Sequence, residues 1–129
     1  MEPTSKSKKI LIVEDDRALR TILGDRLRED AYEVIEASDG EAGLQMAKES
    51  HPDLILLDII MPKMDGIEML AELRKDVWGK GANVIMLTNL SAEDQKSAAR
   101  EQGVADYLVK SDWDIEGIVD CIKSKIKKI

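Results

Sequence analysis

Five short apolar runs punctuate the chain: Ile10 to Val13, Val34 to Ala37, Leu54 to Leu57, Val84 to Leu87 and Tyr107 to Val109. Three of them are solidly apolar rather than alternating, which suits strands covered on both faces, as in a parallel sheet with helices on either side. Between the runs, apolar residues return at helical spacing. Leu19, Ile22, Leu23 and Leu27 make one stripe, Leu70, Leu73 and Val77 another, and Ile115, Ile118, Val119, Ile122 and Ile126 the clearest. Ser38 with Glu41, Ser91 with Asp94, and Ser111 with Asp114 predict helix starts, as capping boxes or their aspartate variant. Gly103 predicts the end of the fourth helix, and Gly79-Lys80-Gly81 a loop after the third.

Five strands alternating with five helices, joined by right-handed crossovers, predict a doubly wound α/β fold. Such units fit a five-stranded parallel sheet of flavodoxin-like order 2-1-3-4-5, with helices on both faces and the ligand site at the carboxyl ends of strands 1 and 3. One helical segment stands apart. Residues Ser91 to Gln102 hold alanines and charges but no large apolar side chain, so this helix is expected to be among the least stable elements.

The 129 residues suffice for one domain with one proper core. The polar, basic residues 1–8 read as a leader, and residues 9–129 as the domain. Apolar runs of four or five residues span no membrane, and the chain is expected to be cytoplasmic. A net charge of −7 argues against a nucleic-acid surface, which needs a basic face. Lys123, Lys125, Lys127 and Lys128 are the local exception, and they suit the negative end of a last helix. The single cysteine, Cys121, can form no intramolecular disulfide and reads as a half-buried structural thiol rather than a nucleophile.

The chemistry sits where the runs end. Strand 1 ends in Glu14-Asp15-Asp16, strand 3 in Asp58, strand 4 in Thr88 and strand 5 in Lys110. An α/β sheet sets these ends side by side, gathering acids, a hydroxyl and an amine in one crevice. Clustered carboxylates repel unless a cation is present, and hard oxygen ligands suit Mg²⁺. An aspartate serves as nucleophile in phosphoryl transfer, where positioning and charge neutralisation are the main needs. Asp16 is expected to cap the next helix.

These strings resemble the receiver domain of two-component response regulators: Ile-Leu-Ile-Val-Glu-Asp-Asp at 10 to 16, Asp58-Ile59-Ile60-Met61-Pro62 followed by Asp65-Gly66, then Thr88, and Tyr107-Leu108-Val109-Lys110. The resemblance implies that Asp58 is the phosphoacceptor. It implies Mg²⁺, with Mn²⁺ able to substitute, held by Asp15, by Glu14 through water, by Asp58 and by the backbone carbonyl of Ile60. Lys110 would pair with the phosphoryl group, Thr88 would move towards it, and Tyr107 would swing inward. The implied partners are a sensor histidine kinase or phosphotransfer protein and a downstream protein effector, with a phosphorylation-dependent dimer as one form of output. Such a domain is a self-phosphorylating switch rather than a turnover enzyme, and its docking face would be helix 4, strand 5 and helix 5. Ending just after helix 5, the sequence fits either a stand-alone regulator or a receiver cut from a longer protein, with the first slightly preferred.

Two departures qualify the resemblance. Ser111 follows Lys110 where the family usually has a proline that commonly fixes a cis bond, which raises the question of how Lys110 is presented. Asn89 stands where alanine or glycine is common. With Ile60 apolar two residues past Asp58, and so unable to orient a water, slow hydrolysis of the acyl phosphate is expected. A flavin or nucleotide binder would want a Gly/Ser/Thr-rich loop in place of Glu14-Asp15-Asp16. A dehalogenase-type phosphatase would want an aspartate at Ile60. A receiver-like scaffold that works without phosphorylation is the remaining alternative. His51, before Pro52 in a turn, is not expected to be a phosphorelay histidine, and Trp113 is expected in the first turn of helix 5.

Overall fold

The computed structural model describes residues 7–126, so most of the expected leader, and Lys127 and Lys128, lie outside the described residues. Strands β1 (Lys9–Val13), β2 (Glu33–Ala37), β3 (Leu54–Leu57), β4 (Val84–Thr88) and β5 (Asp106–Val109) pair in parallel in the order β2-β1-β3-β4-β5. Helices α1 (Arg17–Glu29), α2 (Gly40–Ser50), α3 (Gly66–Lys75), α4 (Glu93–Glu101) and α5 (Ile115–Ile126) alternate with them. The expected fold and strand order are both present.

Successive strand residues point to opposite faces, and both faces are dry. Ile10, Ile12, Leu54, Leu56, Ile85 and Leu87 pack with Leu23 and Leu27 of α1 and with Ile118, Val119 and Ile122 of α5. Leu11, Val13, Ile55, Leu57, Val84 and Met86 pack on the other side with Ala47 of α2 and with Met69, Leu70 and Leu73 of α3. Each such large side chain contributes roughly 2 kcal/mol of burial. Two cores in place of one explain why the central runs are continuously apolar.

Several helix boundaries differ from the expected ones. The caps of α2 and α5 are aspartates: Asp39 accepts the Ala42 N–H at 2.8 Å, and Asp114 accepts the Gly117 N–H at 2.8 Å, so Ser38 and Ser111 are displaced from that role. Helix α4 starts after Ala92 with no side-chain cap at all, and Ser91 is exposed. At α2 the adjacent Ser38 and Asp39 compete for the same first-turn N–H, whereas Ser111 lies in a single 3-10 turn, Lys110–Asp112, that ends before the α5 cap. Val77 lies beyond α3 and is 93% exposed, Ile22 is 51% exposed, and Trp113 precedes the α5 cap with 41% exposed. Gly103, at φ +76°, ends α4 as expected, with its N–H on the Arg100 carbonyl at 2.9 Å. Lys123 lies 2.6 Å from Asp30 of α1, and Lys125 lies 3.9 Å from Asp106, so these lysines serve neighbouring elements as well as their own helix end. Among the described residues no helix is long and apolar enough to cross a membrane.

Candidate phosphoacceptor and metal site

Register brings the polar strand ends together. Val13 pairs with Leu57, so Glu14 and Asp58 leave adjacent strands side by side. Thr88 pairs with Val109, so Lys110 emerges one residue beyond Thr88 on the neighbouring strand. The Lys110 ammonium lies 2.8 Å from Glu14 Oε1 and 2.9 Å from Asp58 Oδ2. The other Asp58 oxygen accepts the Ile59 N–H at 2.7 Å, and Glu14 Oε2 accepts the Asp16 N–H at 3.0 Å. Among the described residues no peptide bond is cis, so Lys110 reaches both carboxylates across a trans bond to Ser111.

Glu14, Asp15 and Asp58 each offer a carboxylate oxygen, and these oxygens lie within 4.8 Å of one another. Glu14 and Asp58 are buried, while Asp15 is exposed. One ammonium faces three carboxylates, which leaves the cluster short of positive charge. Burial pushes the Glu14 carboxyl up, with the Asp58 charge adding to this against the hydrogen bonds from Lys110 and Asp16. Burial also works against the charge on Lys110, yet its bonds to Glu14 and Asp58 prevail and hold its pKa above the ordinary lysine value. Three hard oxygens with one side open to water fit Mg²⁺ or Mn²⁺, which keep several waters of their own.

Thr88 is fully buried, and its hydroxyl accepts the Leu90 N–H at 3.4 Å. The Tyr107 hydroxyl donates to the Leu90 carbonyl at 2.6 Å. Burial, with the charges of Asp58 and Asp94 adding, holds the Tyr107 phenol above its ordinary pKa. Leu90 is thereby tied to both Thr88 and Tyr107, a role with no mark in the sequence because both ties use its backbone. Ile60 is 57% exposed, and Asn89 is exposed too. Asp16 caps α1 by accepting the Leu19 N–H at 3.2 Å, as expected.

The remaining singled-out residues lie outside this cluster. Cys121 is half-buried with its thiol 3.5 Å from Asp106, and burial first, then that carboxylate, push its pKa up to about 11. His51 stacks flat on Trp78 with ring centroids 4.5 Å apart. Sequence reasoning missed Arg20, whose Nη1 donates to the Glu14 carbonyl at 2.7 Å, and Glu36, which receives Arg20 and Arg28. A charged residue inside the β2 run was the visible signal for Glu36.

A family model described as the response regulator receiver domain matches residues 10–123. A probable transcriptional regulator, ycf27, of Porphyridium aerugineum is 38% identical over 125 residues, covering 95% of this chain and 51% of its own length. The Mn²⁺-bound form of the response regulator Rcp1 is 34% identical with a TM-score of 0.82, over 95% of this chain and 96% of that one. The receiver domain of sensor histidine kinase PA1611 from Pseudomonas aeruginosa, with a magnesium ion coordinated in its active-site cleft, is 26% identical with a TM-score of 0.83, over 94% and 98% of the two chains. The chain spans about half the length of the first curated relatives it matches.

Proposed function

The chain belongs to the response regulator receiver family, a family of signalling switches in two-component systems, and from that premise we propose that Asp58 is its phosphoacceptor. The observation that carries the assignment is the meeting of a buried Asp58 with the Lys110 ammonium at 2.9 Å inside a three-carboxylate cluster. An Asp58 carboxylate oxygen attacks the phosphorus of a phosphohistidine on a sensor kinase or phosphotransfer protein. The new O–P bond forms as the P–N bond breaks, and the electron pair returns to the imidazole nitrogen. Asp15, Asp58, Glu14 (through water) and the Ile60 carbonyl would hold Mg²⁺ or Mn²⁺. When bound, the cation neutralises phosphoryl oxygens and templates in-line transfer. Lys110 balances the charge that grows on the transferred group, and the Thr88 hydroxyl donates to a phosphoryl oxygen once one is there.

The acyl phosphate adds up to about two negative charges. It shifts the balance between arrangements of Thr88, Leu90 and Tyr107 only by the difference in its interaction with them. That change is passed to the face of α4, β5 and α5, where a protein effector or a second copy docks. The apolar, exposed Ile60 beside Asp58 supports a long-lived acyl phosphate. A single free cysteine, with no disulfide in the chain, is in keeping with a cytoplasmic protein.

The test is to mix the protein with acetyl phosphate and Mg²⁺ and follow the intact mass, beside Asp58→Asn. The expected result is a phosphoryl adduct that needs Mg²⁺ and is lost in the variant, with a half-life well beyond seconds. A folded protein that never gains an adduct would overturn the assignment and favour a scaffold that works unphosphorylated.

A further inference from the structure

Helix α1 begins with two arginines, Arg17 and Arg20, and has no acid in its first turn. The helix dipole disfavours cations at that end, so Arg20 is where the helix alone would not want it. Its side chain is only 15% exposed, and it reaches out of its own helix in two directions. Nε meets Glu36 Oε1 at 3.3 Å, and Nη1 donates to the Glu14 carbonyl at 2.7 Å. Glu36 in turn takes Arg28 on its other oxygen at 2.9 Å. Strand β2 and the loop after β1 thus converge on one guanidinium of α1.

The Glu14 carbonyl belongs to the peptide that joins Glu14 to Asp15, so holding it restrains ψ of Glu14 and φ of Asp15, the backbone that carries both acids. Every polar group of Glu14 is engaged: its N–H on the Ala37 carbonyl, its carbonyl on Arg20, and its two carboxylate oxygens on Lys110 and the Asp16 N–H. Asp15 is exposed and lies between residues fixed in this way. We propose that Arg20 is a positioning residue for the divalent cation: by holding the Glu14–Asp15 peptide from behind, with Glu36 bracing its guanidinium, it presents the two acids of the β1–α1 loop to the metal. The inference rests on the reading of the carboxylate cluster as a metal site.

The test measures Mg²⁺ dissociation constants of the unphosphorylated protein by calorimetry, for the native chain, Arg20→Met and Arg28→Met, with thermal unfolding of each in the absence of metal. Both variants break a contact to Glu36, but only the first frees the Glu14 carbonyl. Arg20→Met is expected to weaken Mg²⁺ binding about tenfold, the lower end of what loss of a group orienting metal ligands usually does. Arg28→Met should leave it unchanged, because among the described residues the Arg28 guanidinium donates only to Asp25, the Val34 carbonyl and Glu36 and touches no ligand-bearing loop. Should Arg20→Met not fold, Arg20→Lys carries the same comparison, because an ammonium lacks the fork that spans Glu36 and the carbonyl together. A native chain that binds Mg²⁺ while both variants bind it equally well, or lose it in step with their stability, overturns the role of Arg20 alone. A native chain that binds no Mg²⁺ overturns the metal reading and this inference with it.

Discussion

Helices α3 and α4 each follow a strand whose end lies in the site, and they are built in opposite ways. Helix α3 starts with a full capping box: Asp65 accepts the Glu68 N–H at 2.8 Å, and Glu68 accepts the Asp65 N–H at 3.1 Å. It buries Met69, Leu70 and Leu73. Its Gly66 lies so near Asp58 that an added Cβ would stand 2.1 Å from the Asp58 carbonyl oxygen. Helix α4 has no side-chain cap, and the one residue it buries fully is Ala99. Its far end is held by Arg74 of α3, which donates to the carbonyls of Gln102 and Gly103 as well as Gly79 and Ala82. Its near end is reached through Leu90, which Thr88 and Tyr107 grip. The contrast teaches a division of labour: α3 is a fixed floor beneath Asp58, and α4 is anchored at one end and loosely held at the end that faces the switch residues. Elements that move in regulation come from the low-stability part of a fold.

The largest expected effect tests the floor. Gly66→Ala forces backbone apart at Asp58 and is expected to cost about 3 kcal/mol or more, by overpacking against an atom that cannot yield. A urea titration reads the loss, and phosphorylation by acetyl phosphate should fall with it because Asp58 itself is displaced. A variant as stable as the native chain would break the picture of α3 as a rigid floor. Next comes the anchor of α4. Arg74→Ala removes a donor from four backbone carbonyls, of which Gly79 keeps the Ala82 N–H, and should cost about 2–3 kcal/mol. Amide exchange should then quicken more in α4 than in α3, although Arg74 belongs to α3. Equal acceleration in both helices would mean that α4 has no separate anchor.

Much of this contrast was legible in the residues. The double-sided strands follow from Leu54 to Leu57 and Val84 to Leu87 having no polar alternation. The weakness of α4 follows from its lack of any large apolar side chain. The strand-end acids, Thr88 and Lys110 follow from where the apolar runs stop. What escaped has two causes. Spacing cannot see where a helix's hydrogen bonds end, so Val77 continued the α3 stripe on paper while standing 93% exposed beyond it. The same blindness favoured Ser38 over its neighbour Asp39, and Ser111 over Asp114. The second cause is that backbone acceptors leave no residue-type signature. The Glu14 carbonyl under Arg20, the Leu90 carbonyl under Tyr107 and the four carbonyls around Arg74 are invisible in a string of side chains. Asp65 and Glu68, by contrast, stand at capping-box spacing and are legible as the start of α3.

Smaller effects sharpen the comparison at the helix starts. Asp65→Ala removes the α3 cap and is expected to cost about 1 kcal/mol, read as a lowered urea midpoint with α4 exchange unchanged. Tyr107→Phe removes one hydrogen bond to Leu90, worth about 1 kcal/mol. Its signature is local: faster exchange from Leu90 into the first turn of α4, with α3 unaffected. Unchanged exchange there would show that the Tyr107 hydroxyl does not hold that loop.

The smallest effect runs the other way. Ala92 sits at the cap position of α4 with extended backbone, φ −64° and ψ 141°, a conformation a capping serine adopts without strain. Ala92→Ser adds an acceptor for the orphan N–H groups of the first turn and no charge beside Glu93 and Asp94. The expected gain is about 0.5–1 kcal/mol, seen as slower exchange in the first turn of α4. Since α3 already carries such a cap, the substitution makes the two helices more alike at one point only. If the near end of α4 is the loose one, its exchange slows while the end held by Arg74 keeps its rate. A uniform change along α4 would mean that the helix opens as a single unit and that its two ends do not differ.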